Sequence, residues 1–428
     1  MNNMESEIYG KVIKIYNIYI WIILFFLGLT FEMNIIENKY LIVLLSSMFL
    51  FLIILMICDK SFSIKDHIKF DIRDIFLLVA MAIWRRNLYV YGVCDPGFSI
   101  KYLIIVILMY LYGKYHIIYM NTVFTTNDIY KTNVIFPLGL GLMIFNITSM
   151  ISWYIYPPNS EIGRAWLSLM DPIKGWNVAT FYAFHPLLFI SLVFWGVITY
   201  KNNKIKSNMI IFLGIISSVW FWFVTKTRGP MVILFATVII GITLNWLQLI
   251  LKNGFKKYEK KLFYCVIFIV VFVIVGFICI KYVEPIKSLY DSSMLSRDGG
   301  ILNNIRFKWA KDAVLGLAKY PFGGNKEIEN STTHVVWTSF ASFGGIVPFL
   351  LIIIWNILVI KDTVVLSISK NKDIEKKLFI ILPYIGVMLY SCTEDLIYYM
   401  FEMAVITIIA GMIRGEVISE KLVKIRNN

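Results

Sequence analysis

Residues 208–251 read NMIIFLGIISSVWFWFVTKTRGPMVILFATVIIGITLNWLQLIL. Two apolar runs flank a short charged gap, Thr225-Lys226-Thr227-Arg228-Gly229, followed by Pro230. Each run can cross about 30 Å of hydrocarbon as a helix. Inside lipid the backbone must satisfy its own hydrogen bonds, so a long apolar run means a helix. The stretch therefore reads as a helical hairpin with two cations at its tip.

The pattern recurs along the chain. Of 428 residues, 59% are hydrophobic, and the mean hydropathy is +0.73. The alternating pattern of an outer-membrane barrel is absent. The expected fold is all-α, a single polytopic membrane domain over 1–428 with about twelve transmembrane helices. The spans fall near 15–31, 40–58, 75–94, 100–119, 132–156, 178–199, 208–224, 230–251, 262–280, 336–360, 378–392 and 396–413. Arg85 and Arg86 interrupt the third, and only Thr393-Glu394-Asp395 separates the last two. No small-residue cleavage site follows the first, so it reads as retained.

Several function classes drop out. The five cysteines are scattered and form no C-x-x-C, and the four histidines form no H-E-x-x-H, so no metal site is indicated. A net charge of +14 would suit nucleic acid, but no nucleic-acid motif is present. In a membrane protein such charge more often belongs to cytoplasmic anchoring loops. No P-loop supports an ATP-driven pump.

Lys and Arg set the orientation. With both termini cytoplasmic, inside segments carry 25 of them and short outside segments carry 8. This puts Lys226 and Arg228 outside, where anchoring does not explain them. The long loop from Lys281 to His334 is outside as well. Within it, Leu302, Ile305, Trp309, Ala313 and Leu317 recur at helical spacing, with Lys308, Lys311 and Asp312 opposite. Tyr320-Pro321-Phe322-Gly323-Gly324 stops that helix. An amphipathic helix at the outer membrane surface is expected. Ser331, Thr332 and Thr333 offer N-cap oxygens for the next helix, which His334 opens.

These elements, in this order, resemble the O-antigen polymerase and ligase superfamily, membrane glycosyltransferases that act on polyprenyl-diphosphate glycans. The matching elements are Thr225-Lys226-Thr227-Arg228-Gly229 opening a helix and Arg306-x-x-Trp309-x-x-x-Ala313. Pro321-Phe322-Gly323-Gly324 and His334 followed by VVWTSFASFGGIVPFLL complete the set. The likeness covers roughly 208–360 in motif and the whole chain in span pattern. The family often has His-Asn where this chain has His334-Val335, and Pro230 follows the Arg-Gly pair. The resemblance implies an undecaprenyl-diphosphate-linked glycan as donor and acceptor, membrane lipid around it, and no cofactor or nucleic acid. It also implies working beside a flippase and a chain-length regulator.

The residue types suit that chemistry. The leaving group is a diphosphate, and Arg pairs bidentately with phosphate while staying charged. At low dielectric such a cation is worth far more than in water. Arg228 is the first choice and Arg306 the second. The acceptor hydroxyl needs a base, and His334 has a suitable ordinary pKa. Lys226, Arg85, Arg86, Arg164, His185, Glu394 and Asp395 are candidates for substrate binding, because ionisable groups at spans are costly to keep in lipid. Each also has a plain structural reading. Arg228 suits a hairpin tip, His334 a helix start, Arg306 a snorkelling surface cation, and Glu394 and Asp395 a helix N-terminus. Arg85 and Arg86 suit the end of a short span, and His185 beside Pro186 a kink.

Three functions remain. A polymerase joins lipid-linked repeat units, and a ligase moves finished glycan to another acceptor. A flippase is the alternative class, although no internal repeat of the transporter kind is visible. A membrane O-acyltransferase would need its histidine near a cytosolic acyl donor, and His334 faces the other side.

Overall fold

A computed structural model describes residues 3–30, 38–123, 134–155, 165–167, 176–178, 185–200, 203–225, 229–254, 305–325, 335–369, 374–392 and 400–427, with isolated positions between 263 and 287. Apart from turns, the described residues are helical except for one small ribbon. Its helices are α1 (Asn3–Thr30), α2 (Asn38–Cys58), α3 (Ile64–His67), α4 (Ile72–Val90), α5 (Pro96–Val123) and α6 (Ile135–Ile155). Then follow α7 (His185–Tyr200), α8 (Lys204–Thr225), α9 (Gly229–Asn253) and α10 (Ile305–Leu315). The last are α11 (Val336–Ser339), α12 (Ile346–Ile368), α13 (Ile374–Tyr390) and α14 (Met400–Asn427). Between α6 and α7, β1 (Ala165–Leu167) pairs antiparallel with β2 (Trp176–Val178), with Trp166 opposite Asn177. The described residues are otherwise helical, as expected of an all-α chain.

Among the described residues, five helical stretches are long and apolar enough to cross a membrane: Gly10–Leu29, Ser99–Val123, Ile135–Ile155, Val232–Asn253 and Ile346–Ile368. Ile42–Cys58, Leu187–Tyr200 and Lys377–Tyr390 are shorter apolar helices. Large apolar side chains such as Leu50, Phe212, Val232, Leu350 and Ile357 face outward. That is the surface a lipid-embedded protein presents, because hydrocarbon exacts no penalty for it.

The core forms around α5 and α14. Tyr102, Tyr110, Tyr112 and Tyr119 of α5 are fully buried, as are Ile409, Ala410, Met412 and Ile413 of α14. Glycines allow the two backbones to touch. A methyl added at Gly113 would strike the Ile408 carbonyl, one at Gly411 the Tyr110 carbonyl, and one at Gly415 the Lys114 carbonyl. Gly411 and Gly415 form a small-xxx-small pair, which lets membrane helices gain dispersion energy by close approach. The same device joins α1 to α6, where Gly28 lies against Leu138 and Gly141 against Phe25.

The two apolar runs that opened the sequence appear as helices α8 and α9, and Lys226–Arg228 between them lie outside the described residues. The two arginines of the third span do not break it, since α4 runs through both. The tenth span is corrected. It is not one helix over 336–360. After the single turn of α11, Phe340–Gly344 widens into a π-helical turn, and Gly345 at φ 85° breaks the chain before α12. Pro348 in the first turn of α12 suits a new helix start better than an interior position. The N-cap candidates Ser331–Thr333 lie outside the described residues. Val335 is the residue before α11, and it makes no side-chain cap. Instead the Val336 N–H donates to the Ser391 carbonyl at 3.0 Å, just past the end of α13.

Candidate functional site

One end of the bundle gathers α4, the turn after α10, and the broken helix. Helix α10 begins at Ile305 and passes into a 3₁₀ turn at Gly316–Ala318. Ala313 and Leu317 are buried, whereas Lys308, Lys311 and Asp312 are exposed. Phe307, Val314 and Leu315 are exposed as well, so the apolar side is wider than its periodicity suggests. The turn that follows is locked by glycine. Gly323 and Gly324 sit at φ 93° and 77°, where other residues are strained. A side chain at Gly323 would strike the Phe343 carbonyl, and one at Gly324 the Tyr91 ring.

Backbone bonds then join the turn to the helix break. The Ile346 N–H donates to the Pro321 carbonyl at 2.8 Å, and the Asn325 N–H donates to the Ser342 carbonyl at 2.9 Å. From α4, the Asn87 Nδ2 donates to both the Phe322 carbonyl at 2.9 Å and the Gly344 carbonyl at 3.0 Å. The Trp84 Nε1 donates to the Ser339 carbonyl at 3.3 Å. Backbone carbonyls released where the chain leaves regular helix thus find partners on α4, as burial demands.

Arg85 lies at this junction. It is only 2% exposed, with its guanidinium carbon 4.2 Å from the Tyr102 ring centroid and 5.2 Å from that of Trp84. Trp84 in turn packs on Phe340 of the π turn, at 5.1 Å between centroids. A planar guanidinium between aromatic rings is oriented and partly desolvated, the state in which its charge acts most strongly. Arg86 is exposed, and its Nη1 donates to the Asn87 Oδ1 at 3.2 Å. The structure separates the pair: Arg85 is buried and Arg86 is exposed.

The other predicted residues divide as follows. Lys226, Arg228, His334, Glu394, Asp395 and Arg164 lie outside the described residues, Arg164 immediately before β1. The backbones of Arg306 at the start of α10 and His185 at the start of α7 are described, but not their side chains. Glu402, two residues into α14, is buried.

At the opposite end Arg73, Lys114 and Arg414 are each held in an ion cluster. Arg73 Nη2 reaches Asp362 Oδ1 at 3.0 Å, and Arg414 Nε reaches Asp71 Oδ2 at 2.8 Å. Lys114 Nζ meets Asp74 Oδ2 at 2.6 Å and also the Lys69 carbonyl at 3.1 Å. Arg414 Nη1 closes the set on Asp362 Oδ2 at 3.4 Å. The cluster ties α4, α5, α12 and α14 together. Asp71 also caps α4, in a capping box with Asp74. Burial works against the Asp71 carboxylate, but Lys114 and Arg414 outweigh it and hold it below the ordinary range. Beside it, Lys377 Nζ pairs with Glu420 Oε1 at 3.0 Å. The positive-inside count assigned these cations to one side without revealing their partners. Asp71 two residues before Arg73 and GMIRG around Arg414 were the available signals.

Helices of this length and apolarity define a membrane-embedded helical protein. No protein-family model matches the chain, and no curated protein matches it.

Proposed function

We propose that the chain is a membrane glycosyltransferase. It polymerises undecaprenyl-diphosphate-linked repeat units of a surface polysaccharide at the outer face of the cytoplasmic membrane. One observation carries this reading. The Pro321–Gly324 turn that ends α10 and the glycine-broken helix after His334 are far apart in chain position from α4, yet Trp84 and Asn87, on either side of the buried Arg85, hold both of them to α4. Apart from α4, these are elements on which the resemblance rests, the Thr225–Gly229 segment being the one not among them. A cluster of this kind at a helix break is where membrane proteins tolerate irregular backbone facing a polar substrate.

In this reading Arg228 stabilises the diphosphate as it leaves, with Arg306 assisting. His334 takes the proton from the acceptor hydroxyl. Arg85 orients phosphate or sugar from below. Lys226, Arg86, Arg164, His185, Glu394 and Asp395 surround the glycan. Loss of Arg228 tests the assignment: Arg228→Ala abolishes polymer while membrane insertion is unchanged, and normal polymer yield from that variant would remove Arg228 from the chemistry.

A ligase, transferring finished glycan to another acceptor, uses the same leaving group and the same activated hydroxyl. Transport is the second reading, favoured by the buried ion cluster, since ionisable groups within membrane proteins often line ion paths. Three cations balance three carboxylates there. A neutral interlock joining four helices accounts for that balance without a moving ion.

A further inference from the structure

Phe322 is 84% exposed, the most of any large apolar side chain among the described residues. Its backbone is fastened on both sides. The Pro321 carbonyl accepts from the Ile346 N–H at 2.8 Å, and the Phe322 carbonyl accepts from Asn87 Nδ2 at 2.9 Å. The Gly323 N–H donates to the Tyr320 carbonyl at 3.0 Å, and Gly323 and Gly324 hold positive φ. A locked turn thus holds an aromatic ring clear of the protein, where water would be a costly surround for it.

The turn stands at the head of a membrane-length helix. The Ile346 bond places it at the first residue of α12, and a methyl at Gly345 would strike the Phe322 backbone. Helix α12 is long and apolar enough to cross a membrane. Its exposed residues Ile346, Val347, Leu350, Ile354 and Ile357 recur at helical spacing and form one outward stripe. Phe322 sits at the top of that stripe, so it prolongs a surface that already faces lipid.

The rest of the unit suits the same neighbour. Along α10, Ala313 is buried against the protein, while Phe307, Val314 and Leu315 are exposed. Lys308, Lys311 and Lys319 are exposed among them, three cations against the one exposed carboxylate of Asp312. Lysine stems lie along apolar surface while their ammonium groups reach phosphate, the arrangement of a helix lying in the headgroup layer. Two copies of this face brought together would set lysine against lysine, whereas an anionic leaflet neutralises them.

We propose that α10 and its turn are seated in the bilayer interface, with the Phe322 ring in hydrocarbon and Lys308, Lys311 and Lys319 among anionic lipid phosphates. The point of entry is the turn, beyond the surface helix that periodicity alone indicates. Asn87 ties this turn to α4 next to Arg85, so the same contact sets the height of the candidate site against the headgroups. The seating does not depend on the function proposed above.

Two measurements on the full chain in nanodiscs test it. In the first, Phe322 is replaced by para-trifluoromethylphenylalanine and read by fluorine NMR. Phe212, exposed on the apolar surface of α8, carries the same label in a second sample as the hydrocarbon reference. Dissolved oxygen, which partitions into hydrocarbon, relaxes the Phe322 label about as strongly as the Phe212 label, and a water-soluble nickel chelate does not. Stronger relaxation by the chelate would put the ring in water and overturn the proposal. Relaxation by neither agent would mean that protein covers the ring, and would overturn it equally. The second measurement is hydrogen exchange of the α10 amides. Exchange is about tenfold or more slower in phosphatidylglycerol than in phosphatidylcholine, and Lys308→Gln, Lys311→Gln and Lys319→Gln together remove the difference. Equal exchange of wild type in both lipids would overturn the lysine–phosphate contacts.

Discussion

Asn87 of α4 donates its side-chain amide to the Gly344 carbonyl at 3.0 Å, across 257 positions of sequence. The same nitrogen reaches the Phe322 carbonyl. One amide thus fastens the turn after α10 to the helix break, next to Arg85. Asn87→Ala would leave two buried carbonyls without a donor, a loss of about 2–4 kcal/mol. A lower thermal-unfolding midpoint in detergent and reduced polymer yield are expected together. An unchanged midpoint would mean that the turn holds its place without Asn87.

Arg85 and Arg86 are neighbours in sequence but not in role. Arg85→Ala is expected to lower polymer yield by about 100-fold or more, the size of effect seen when one charge-stabilising donor is removed. Arg86→Ala should stay near wild type. Product analysis of the two variants, normalised to protein in the membrane, checks this. Equal loss in both would contradict the separation of the buried arginine from the exposed one.

The α5–α14 crossing depends on absent side chains. Gly113→Val and Gly411→Val force backbone apart and should prevent accumulation of folded protein, read by size-exclusion monodispersity. Gly214 has nothing within reach of an added methyl, so Gly214→Ala is expected to be neutral or stabilising by up to about 1 kcal/mol.

The ion cluster makes a prediction in pH. The Asp71 carboxyl is held below its ordinary value. Its contribution is therefore complete above the ordinary carboxylate pKa of about 3.9. It is lost as pH falls through the lower folded value. Burial shifts Asp74 the other way, so the testable quantity is the Asp71 share: the stability difference between wild type and Asp71→Asn should shrink on acidification below about pH 4. Asp362→Ala, which strips a partner from both Arg73 and Arg414, should cost about 3–5 kcal/mol at neutral pH.

The two helices of the opening stretch were the most legible part of the chain. Apolar runs at 208–224 and 230–251 became Lys204–Thr225 and Gly229–Asn253, because length and hydropathy alone decide a helix in lipid. The interruption at Gly345 was hidden, since apolar residues continue on both sides and hydropathy cannot register a change of φ. The ion cluster was hidden for a related reason. Counting Lys and Arg says which side they occupy, but not that Asp71, Asp74 and Asp362 fold back onto them. Asn146 and Ser149 passed unnoticed inside an apolar span, and only the folded packing shows that their polar atoms meet no partner among the described residues. Arg85 was singled out because charge in a span is costly, and its burial against Tyr102 fits that reasoning.

The most direct test is reconstitution of the purified chain with an undecaprenyl-diphosphate-linked repeat unit, with products separated by size. The account predicts a ladder of lengthening glycans on the lipid carrier, absent with Arg228→Ala. Lipid moved across the bilayer with no new glycosidic bond would contradict it.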